Sequence, residues 1–290
     1  MTIGSFDGIH LGHQEILRQL TRGAHAAGSP AVVLTFYPHP AVVLGKRKRA
    51  FYLTTPDEQA ELLDALSIDL LITHPFDQDV ASLSAHQFLN RLIDHLGLSQ
   101  LWVGHDFAMG HNREGDVPAL RRLGELHDFQ VQVISPVMLE GEVVSSSRIR
   151  ALLAAGDLAQ ANRLLGRPYQ LSGMVVHGQG RGRTLGIPTA NLTVSEERAL
   201  LQTGVYACRA RVHDRWHDAV TNIGVRPTFD NHEEALTVET HLLDYDQDLY
   251  GQRLRLEFVE RLRGEERFPG PEALVAQIRA DIDQARQRLS

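Results

Sequence analysis

Gly4-Ser5-Phe6-Asp7-Gly8-Ile9-His10-Leu11-Gly12-His13 joins the end of an apolar, strand-like segment to a helical pattern running from about His13 to Ala27. A glycine-rich turn between strand and helix is the repeating joint of a parallel, doubly wound sheet. Ligands of such sheets bind beyond the carboxyl ends of the strands, near a topological switch point. A helix start carries unpaired N–H groups and the positive end of the macrodipole, which suits an anion. Glycines let the backbone come close to it. Imidazoles there can donate to phosphate oxygens as charge builds up. The spacing suggests a triphosphate cradle; the histidine pair taken alone reads equally as a metal turn or as idle surface groups.

The pattern continues outward from this turn. Ala31 to Phe36 is a continuous apolar run, as in a strand buried on both faces. Thr55-Pro56-Asp57-Glu58 and Ser84-Ala85-His86-Gln87 are capping boxes opening helices that end near Leu66 and Gly97. Asp69 to Thr73, Leu101 to Gly104 and Val131 to Ser135 read as strands, with a helix around Ala119 to His127. Two short helical patterns, Arg148 to Ala155 and Leu158 to Leu165, lead to Gly166-Arg167-Pro168. That tripeptide sets expected domains of 1–166 and 167–290.

Beyond it the strands lose their helices. Leu171 to Val176, Val205 to Val212, Ala219 to Ile223, Leu236 to Leu243 and Leu254 to Val259 read as strands joined by turns. An apolar stripe of Leu274, Ile278 and Ile282 follows Pro271 to the end. This half reads as an antiparallel barrel or sandwich with a terminal helix whose simplest role is packing.

The 290 residues suit two domains, and 43% hydrophobic content supports a core in each. Lys+Arg of 29 against Asp+Glu of 36 gives a formal charge of −7, which argues against general binding to nucleic acid or anionic membrane. Cys208 is the one cysteine, so no internal disulfide or Cys-rich zinc site forms, and a buried strand position is expected for it. No run spans a bilayer and the start lacks a signal-peptide layout, which points to a cytoplasmic enzyme. Oligomeric state is open, a homo-oligomer included.

Further chemistry gathers in four places. Val144-Ser145-Ser146-Ser147-Arg148-Ile149-Arg150 offers capping hydroxyls and forked cationic donors for phosphate. Tyr37-Pro38-His39-Pro40 and Val103-Gly104-His105-Asp106-Phe107-Ala108-Met109-Gly110 each follow a strand, on the ligand-binding edge; loop packing and ligand contact are equally expected of them. His177 to Asn191 holds a glycine loop with Arg181 and Arg183, ending in Ile187-Pro188-Thr189-Ala190-Asn191. It lacks a Gly-Lys-Ser/Thr ending, and Pro188 argues against a following helix, so it is not a Walker loop. Thr189 and Asn191 share a face of an extended segment, where neutral oxygens can hold Mg²⁺. By alternation alone Glu239, in Val238-Glu239-Thr240-His241, belongs on an exposed face. Lys46-Arg47-Lys48-Arg49 reads as a solvated loop, while His74, His86 and His95 show no convergent metal spacing.

These motifs resemble, in order, those of bacterial bifunctional riboflavin kinase/FAD synthetase. The opening run matches G-x-F-D-G-x-H-x-G-H, with Ser5 where Asn is commoner. Ser145 to Arg150 is similar to S-S-T-x-I-R, with Ser147 for Thr. Gly104 to Gly110 is similar to G-x-D-F-x-F-G, with Met109 for Phe. Gly186 to Asn191 matches G-x-P-T-A-N. The resemblance covers nearly the whole chain. It implies a Rossmann-like α/β nucleotidyltransferase domain and an antiparallel β-barrel kinase domain. Riboflavin would be phosphorylated to FMN with ATP, and FMN adenylylated to FAD with release of pyrophosphate. ATP contacts are implied at Gly4, Phe6, Gly8, His10, His13, Ser145, Ser146, Ser147 and Arg150, and at Gly178, Gly182, Arg183, Thr189 and Asn191. His10 and His13 would act on the transition state, with Asp7 as a turn residue. Flavin contacts fall at His39, Pro40, Asp106, Phe107 and Met109, then at Arg263 and Phe268. Thr189 and Asn191 would hold Mg²⁺, and Glu239 would be the general base for the ribityl hydroxyl.

Met1-Thr2-Ile3 reads as the tail of a buried strand that is longer in the family. A second reading therefore keeps the kinase and impairs FAD synthesis. A third, of another class, is a flavin-responsive regulatory binding protein.

Overall fold

Uninterrupted apolar runs such as Val32-Val33-Leu34 and Leu101-Trp102-Val103 suit strands covered on both faces, and both lie in one five-stranded parallel sheet. The computed structural model describes residues 1–45, 51–178, 182, 185–227 and 234–290. The basic run 46–49, loop residues 179–181 and 183–184 with Arg181 and Arg183, and Thr228 with Phe229 lie outside the described residues. Two compact units are present, Met1–Ser146 and Ser147–Ser290.

In the first unit, β1 (Thr2–Ile3), β2 (Val32–Tyr37), β3 (Leu70–Pro75), β4 (Gln100–Gly104) and β7 (Gln130–Ile134) are ordered β3-β2-β1-β4-β7. The chain leaves β1 toward β2 and β3, then returns to its other side for β4 and β7, so the switch point lies between β1 and β4. Although only two residues long, β1 pairs in parallel with both neighbours, and the Thr2 hydroxyl donates to the Trp102 carbonyl at 2.7 Å.

Helices α1 (Leu11–Ala26), α2 (Pro40–Val43), α3 (Pro56–Asp64), α4 (Gln78–Ser82), α5 (Ala85–Leu96) and α6 (Val117–His127) complete the layers, with short pairs β5 (Ala108–Met109)/β6 (Gly115–Asp116) and β8 (Met138–Leu139)/β9 (Glu142–Val143). Alternate strand residues feed opposite cores. Val33 packs with Leu17 and Leu20 of α1 and Leu63 of α3, while Leu34 packs with Phe88 and Leu89 of α5 and Leu120 of α6. Both expected capping boxes form, at Thr55/Glu58 and Ser84/Gln87, and Gly97 closes α5 in the left-handed region.

Helix α7 (Ser146–Ala155) starts on the last residue of the first unit and runs into the second, where α8 (Leu158–Leu165) follows. Strands β10 (Tyr169–Val176), β11 (Ala190–Thr193), β12 (Gly204–Val212), β13 (Arg215–Pro227), β14 (Glu234–Leu242) and β15 (Arg253–Arg263) close an antiparallel barrel in the order β10-β11-β14-β13-β12-β15. Helix α9 (Pro271–Leu289) lays Ala285 and Leu289 on Val205, Ala207 and Val220. Inside the barrel lie Leu171, Tyr206, Ile223, Leu256 and Phe258, all buried. Arg198 is buried, with Nη2 donating to the Gln170 carbonyl at 2.6 Å and its guanidinium 5.6 Å from the Tyr169 ring. Cys208 is the buried strand residue expected, and burial pushes its thiol up to about 12.

Candidate active sites

The turn after β1 is held open by backbone conformations that few residues adopt. Phe6, Gly8 and Ile9 have φ of 44°, 82° and 37°. A Cβ on Gly8 would lie 2.7 Å from Leu53 Cδ1, so glycine is needed there twice over. Asp7 anchors the turn: its Oδ1 accepts from Leu53 N at 2.8 Å and Thr54 N at 3.1 Å. This buried carboxylate is therefore committed to the backbone, the turn role expected of it. The Phe6 ring packs in the core with Leu17 and Leu20 and also backs Gly4, where an added Cβ would lie 3.0 Å from the ring. Gly4 N donates to Leu34 O at 3.0 Å, continuing the ladder into the turn.

His10 caps α1, its Nδ1 accepting from His13 N at 3.3 Å. A neutral His10 then carries its proton on Nε2. The two imidazoles stack at 3.7 Å between centroids, and Phe6 meets His13 edge-on at 5.2 Å. The serine motif arrives from far along the chain: Ser146 Oγ donates to the Asp7 carbonyl at 2.9 Å. A Cβ on Gly12 would lie 3.2 Å from the His10 ring and 3.5 Å from the Val144 carbonyl. Ser145 precedes α7, whose first turns carry Ser147, Arg148 and Arg150.

Beside this turn, at the carboxyl ends of β1, β2 and β3, a pocket is lined by Ser5, Tyr37, His39, Tyr52, Gln59 and Thr73 among others. His39 caps α2, accepting from Ala41 N at 3.0 Å, and its own N–H donates to the Tyr52 hydroxyl at 2.7 Å; Pro40 opens that helix. Across the switch point, Phe107 and Met109 are half-buried against the core of α5 and α6. The Asp106 side chain is 85% exposed and lies 3.8 Å from His105 Nδ1.

In the second unit the expected site residues Asn191 and Glu239 lie on the outside of the barrel. Ala190, Leu192, Val238, Thr240, Thr221 and Ile223 are buried, so the residues alternating with them point outward. Asn191 is directly opposite Glu239, and Glu239 directly opposite Asn222. Paired residues of antiparallel strands share a face with Cβ atoms about 5 Å apart. The row extends through Val205 to Arg263. Gly178 lies against Asn191: an added Cβ would be 2.7 Å from its Oδ1. Gly182 similarly faces the Thr189 hydroxyl at 3.2 Å, and His241 Nδ1 lies 2.7 Å from the Pro188 carbonyl, which tethers Thr189 from the preceding residue. Glycines thus leave room beside both of these neutral oxygens.

Asn222, Thr237 and Glu265 carry no role that sequence alone assigns, and the fold brings them together. A Cβ on Gly224 would lie 2.6 Å from Glu265 Oε1, 3.2 Å from Thr237 Oγ1 and 3.3 Å from Asn222 Nδ2, so those three polar groups converge beside Glu239. Asp281 of α9 is 3% exposed and grips Arg263 with Oδ2 to Nη2 at 2.8 Å and Oδ1 to Nε at 3.0 Å. The terminal helix therefore packs through this ion pair as well as through its apolar stripe. Its signal was an acid falling on the spacing of Leu274, Ile278 and Ala285. The Arg263 guanidinium also sits 5.6 Å from the Phe268 ring centroid.

Comparison with known proteins agrees with this division. A FAD synthetase family model matches residues 1–148, and a riboflavin kinase model matches residues 165–289. The chain is 41% identical to the bifunctional riboflavin kinase/FMN adenylyltransferase of Pseudomonas fluorescens, over 98% of this chain and 91% of that protein. It is 35% identical to the protein of that name from Listeria monocytogenes, over 99% and 91% respectively. A crystal structure described as a macrolide-efflux protein from Streptococcus pneumoniae superposes with a TM-score of 0.89 at 31% identity, covering 98% of this chain and 93% of that one. Among the described residues no helix is long and apolar enough to cross a membrane. The chain belongs to the bifunctional riboflavin kinase/FMN adenylyltransferase family.

Proposed function

We propose that each unit performs one of two consecutive ATP-dependent transfers. The chain is a bifunctional transferase: it phosphorylates riboflavin to FMN, then adenylylates FMN to FAD with release of pyrophosphate. What carries the reading is one chain holding both a stacked imidazole pair at a helix start on a switch point and an Asn–Glu–Asn row on a barrel. The functional domains are taken as 1–166 and 167–290.

In the kinase unit, Glu239 takes the proton of the ribityl hydroxyl as that oxygen attacks the γ-phosphorus of ATP. Thr189, Asn191, Gly178, Gly182 and Arg183 hold the polyphosphate, and Arg263 and Phe268 the flavin. The hydroxyl of Thr189 and carboxamide of Asn191 fit Mg²⁺, which takes oxygen ligands and leans on substrate phosphates. When bound, Mg²⁺ offsets charge on those phosphates.

In the adenylyltransferase unit the FMN phosphate is itself the nucleophile toward the α-phosphorus of ATP, so the protein need only align and stabilise charge. The Nε2–H of His10 and the His13 ring donate to the triphosphate, joined by Gly4, Gly8, the Phe6 backbone, Ser145, Ser146, Ser147 and Arg150. The aromatic pocket beside His39 and Pro40, with Asp106, Phe107 and Met109, takes the flavin. A cytoplasmic setting is supported by the single cysteine, and a net charge of −7 gives no general attraction to nucleic acid. A homo-oligomer is compatible with this chemistry.

Purified protein incubated with riboflavin, ATP and Mg²⁺ should yield FMN and then FAD on chromatography. FMN alone would leave only the kinase reading; neither product would leave the binding-protein reading.

A further inference from the structure

His86 and His127 play no part in either site, yet their side chains converge. His86 stands in the first turn of α5 and His127 in the last turn of α6. Their Nε2 atoms are 2.9 Å apart, with ring centroids at 5.0 Å and planes inclined by 38°. Asn90, one turn after His86, brings its amide to 3.4 Å from the same His86 nitrogen. The helices are not free to separate, because Phe88, Leu89 and Leu92 of α5 share a core with Leu120 of α6.

At that separation both nitrogens cannot carry protons pointing at each other. One N–H can donate to the other lone pair, or both lone pairs can be given to a cation. Two nitrogens each about 2.05 Å from one ion and 90° apart lie about 2.9 Å from each other, whereas a tetrahedral angle would place them about 3.3 Å apart. The nitrogen spacing matches the right angle of square-planar or octahedral coordination, and the ring centroids, at 5.0 Å against about 4.5 Å for such a chelate, close up when each ring turns by about 20° from its present, nearly head-on hydrogen-bonding direction.

We propose that His86 and His127 form a two-histidine chelate for a divalent transition-metal ion of Cu²⁺ or Ni²⁺ type, clamping α5 to α6. The imidazoles bind as neutral donors through Nε2, and water completes the shell. A half-turn of the Asn90 carboxamide would offer its oxygen as a third donor. Mg²⁺ prefers oxygen ligands and does not compete. The site is independent of the chemistry on the sheet edge and on the barrel.

The test uses the untagged full-length protein titrated calorimetrically with Cu²⁺ alone and Ni²⁺ alone. One equivalent should bind, and each of His86→Ala and His127→Ala should weaken it by about 100-fold, because the second imidazole acts at high effective concentration. His13→Ala should leave this equivalent in place. The Cu²⁺ electron paramagnetic resonance spectrum should show two equatorial nitrogens in the wild type and one in either variant. Circular dichroism without metal checks that both variants fold. Equal affinity in wild type and His86→Ala, or loss in His13→Ala, would overturn the proposal, as would failure of the folded wild type to bind stoichiometrically.

Discussion

Glu239 faces Asn191 on one side and Asn222 on the other, all three on the outer surface of the barrel. Alternation along β14 alone would make Glu239 an ordinary outward-facing carboxylate. Register changes that reading. It sets the carboxylate between two carboxamides on adjoining strands, beside a glycine whose missing side chain leaves Asn191 accessible. The carboxylate proposed as general base and the residue proposed for phosphate and Mg²⁺ are thus held by one ladder of backbone hydrogen bonds. Neither depends on a loop for its position.

Glu239→Gln keeps the shape of this row and removes the base. FMN formation should fall by about 10²- to 10⁴-fold, the usual contribution of a positioned proton acceptor. FAD formation from supplied FMN should persist. Both rates are read by chromatography of flavins, and equal loss of the two would show that the units do not work separately.

His13→Ala should have the opposite effect. The ring stacks on His10 at 3.7 Å, and its backbone N–H is the donor that fixes His10 Nδ1. Removing the ring leaves that backbone donor in place, so α1 stays capped while the proposed triphosphate donor is lost. FAD synthesis should drop by about 10²- to 10³-fold, the scale set by loss of one preorganised donor to developing charge. Riboflavin phosphorylation should continue, and undiminished FAD synthesis would remove His13 from the mechanism.

Much of this was legible in the residues. The strand–turn–helix joint at Gly4 to His13 and the two capping boxes gave the parallel sheet, because their hydrogen bonds are local and follow sequence spacing. The barrel was legible as strands, but β11 was read only as an extended stretch around Asn191, being four residues long. Strand order was not legible. The convergence of Glu239, Asn191 and Asn222 depends on which strands pair, and pairing is decided by long-range packing. Asp281 was hidden for the same reason: an acid on a helix reads as solvated until its partner, Arg263, is found 18 residues upstream. The Phe107 and Met109 loop shows the reverse limit. An apolar loop residue reads alike for ligand and core, and half-burial against α5 and α6 is compatible with both.

Asp69 gives the first unit a pH-dependent fastening. Its Oδ2 accepts from Ala31 N at 2.7 Å and lies 2.8 Å from His25 Nε2. The Ala31 hydrogen bond first, and His25 second, hold its carboxyl below the ordinary value of 3.8. A group whose folded value is lowered stabilises the fold above its unfolded value and loses that contribution as pH falls through the folded one. Asp69→Asn should therefore unfold at lower denaturant than wild type at neutral pH, with the gap closing as pH drops below 3.8. Denaturation midpoints measured across that range decide the matter. A gap that does not change with pH would mean that shape rather than charge is at work.

The Arg263–Asp281 pair separates holding a helix from holding a flavin. Asp281 is almost wholly buried and Arg263 nearly so, with side-chain exposures of 3% and 16%. Removing one member of such a pair strands the other, at a cost of about 3 kcal/mol. Asp281→Ala should show that loss in chemical denaturation. Replacing both residues with apolar side chains, Arg263→Met with Asp281→Leu, should recover most of the stability, since no charge is then left unpaired. The kinetics of this double variant test the proposed flavin contact. If Arg263 touches the flavin, KM for riboflavin stays raised in the stable double variant while FAD synthesis from FMN is unaffected. Full recovery of riboflavin affinity along with stability would reduce Arg263 to a strut that fixes α9 to the barrel.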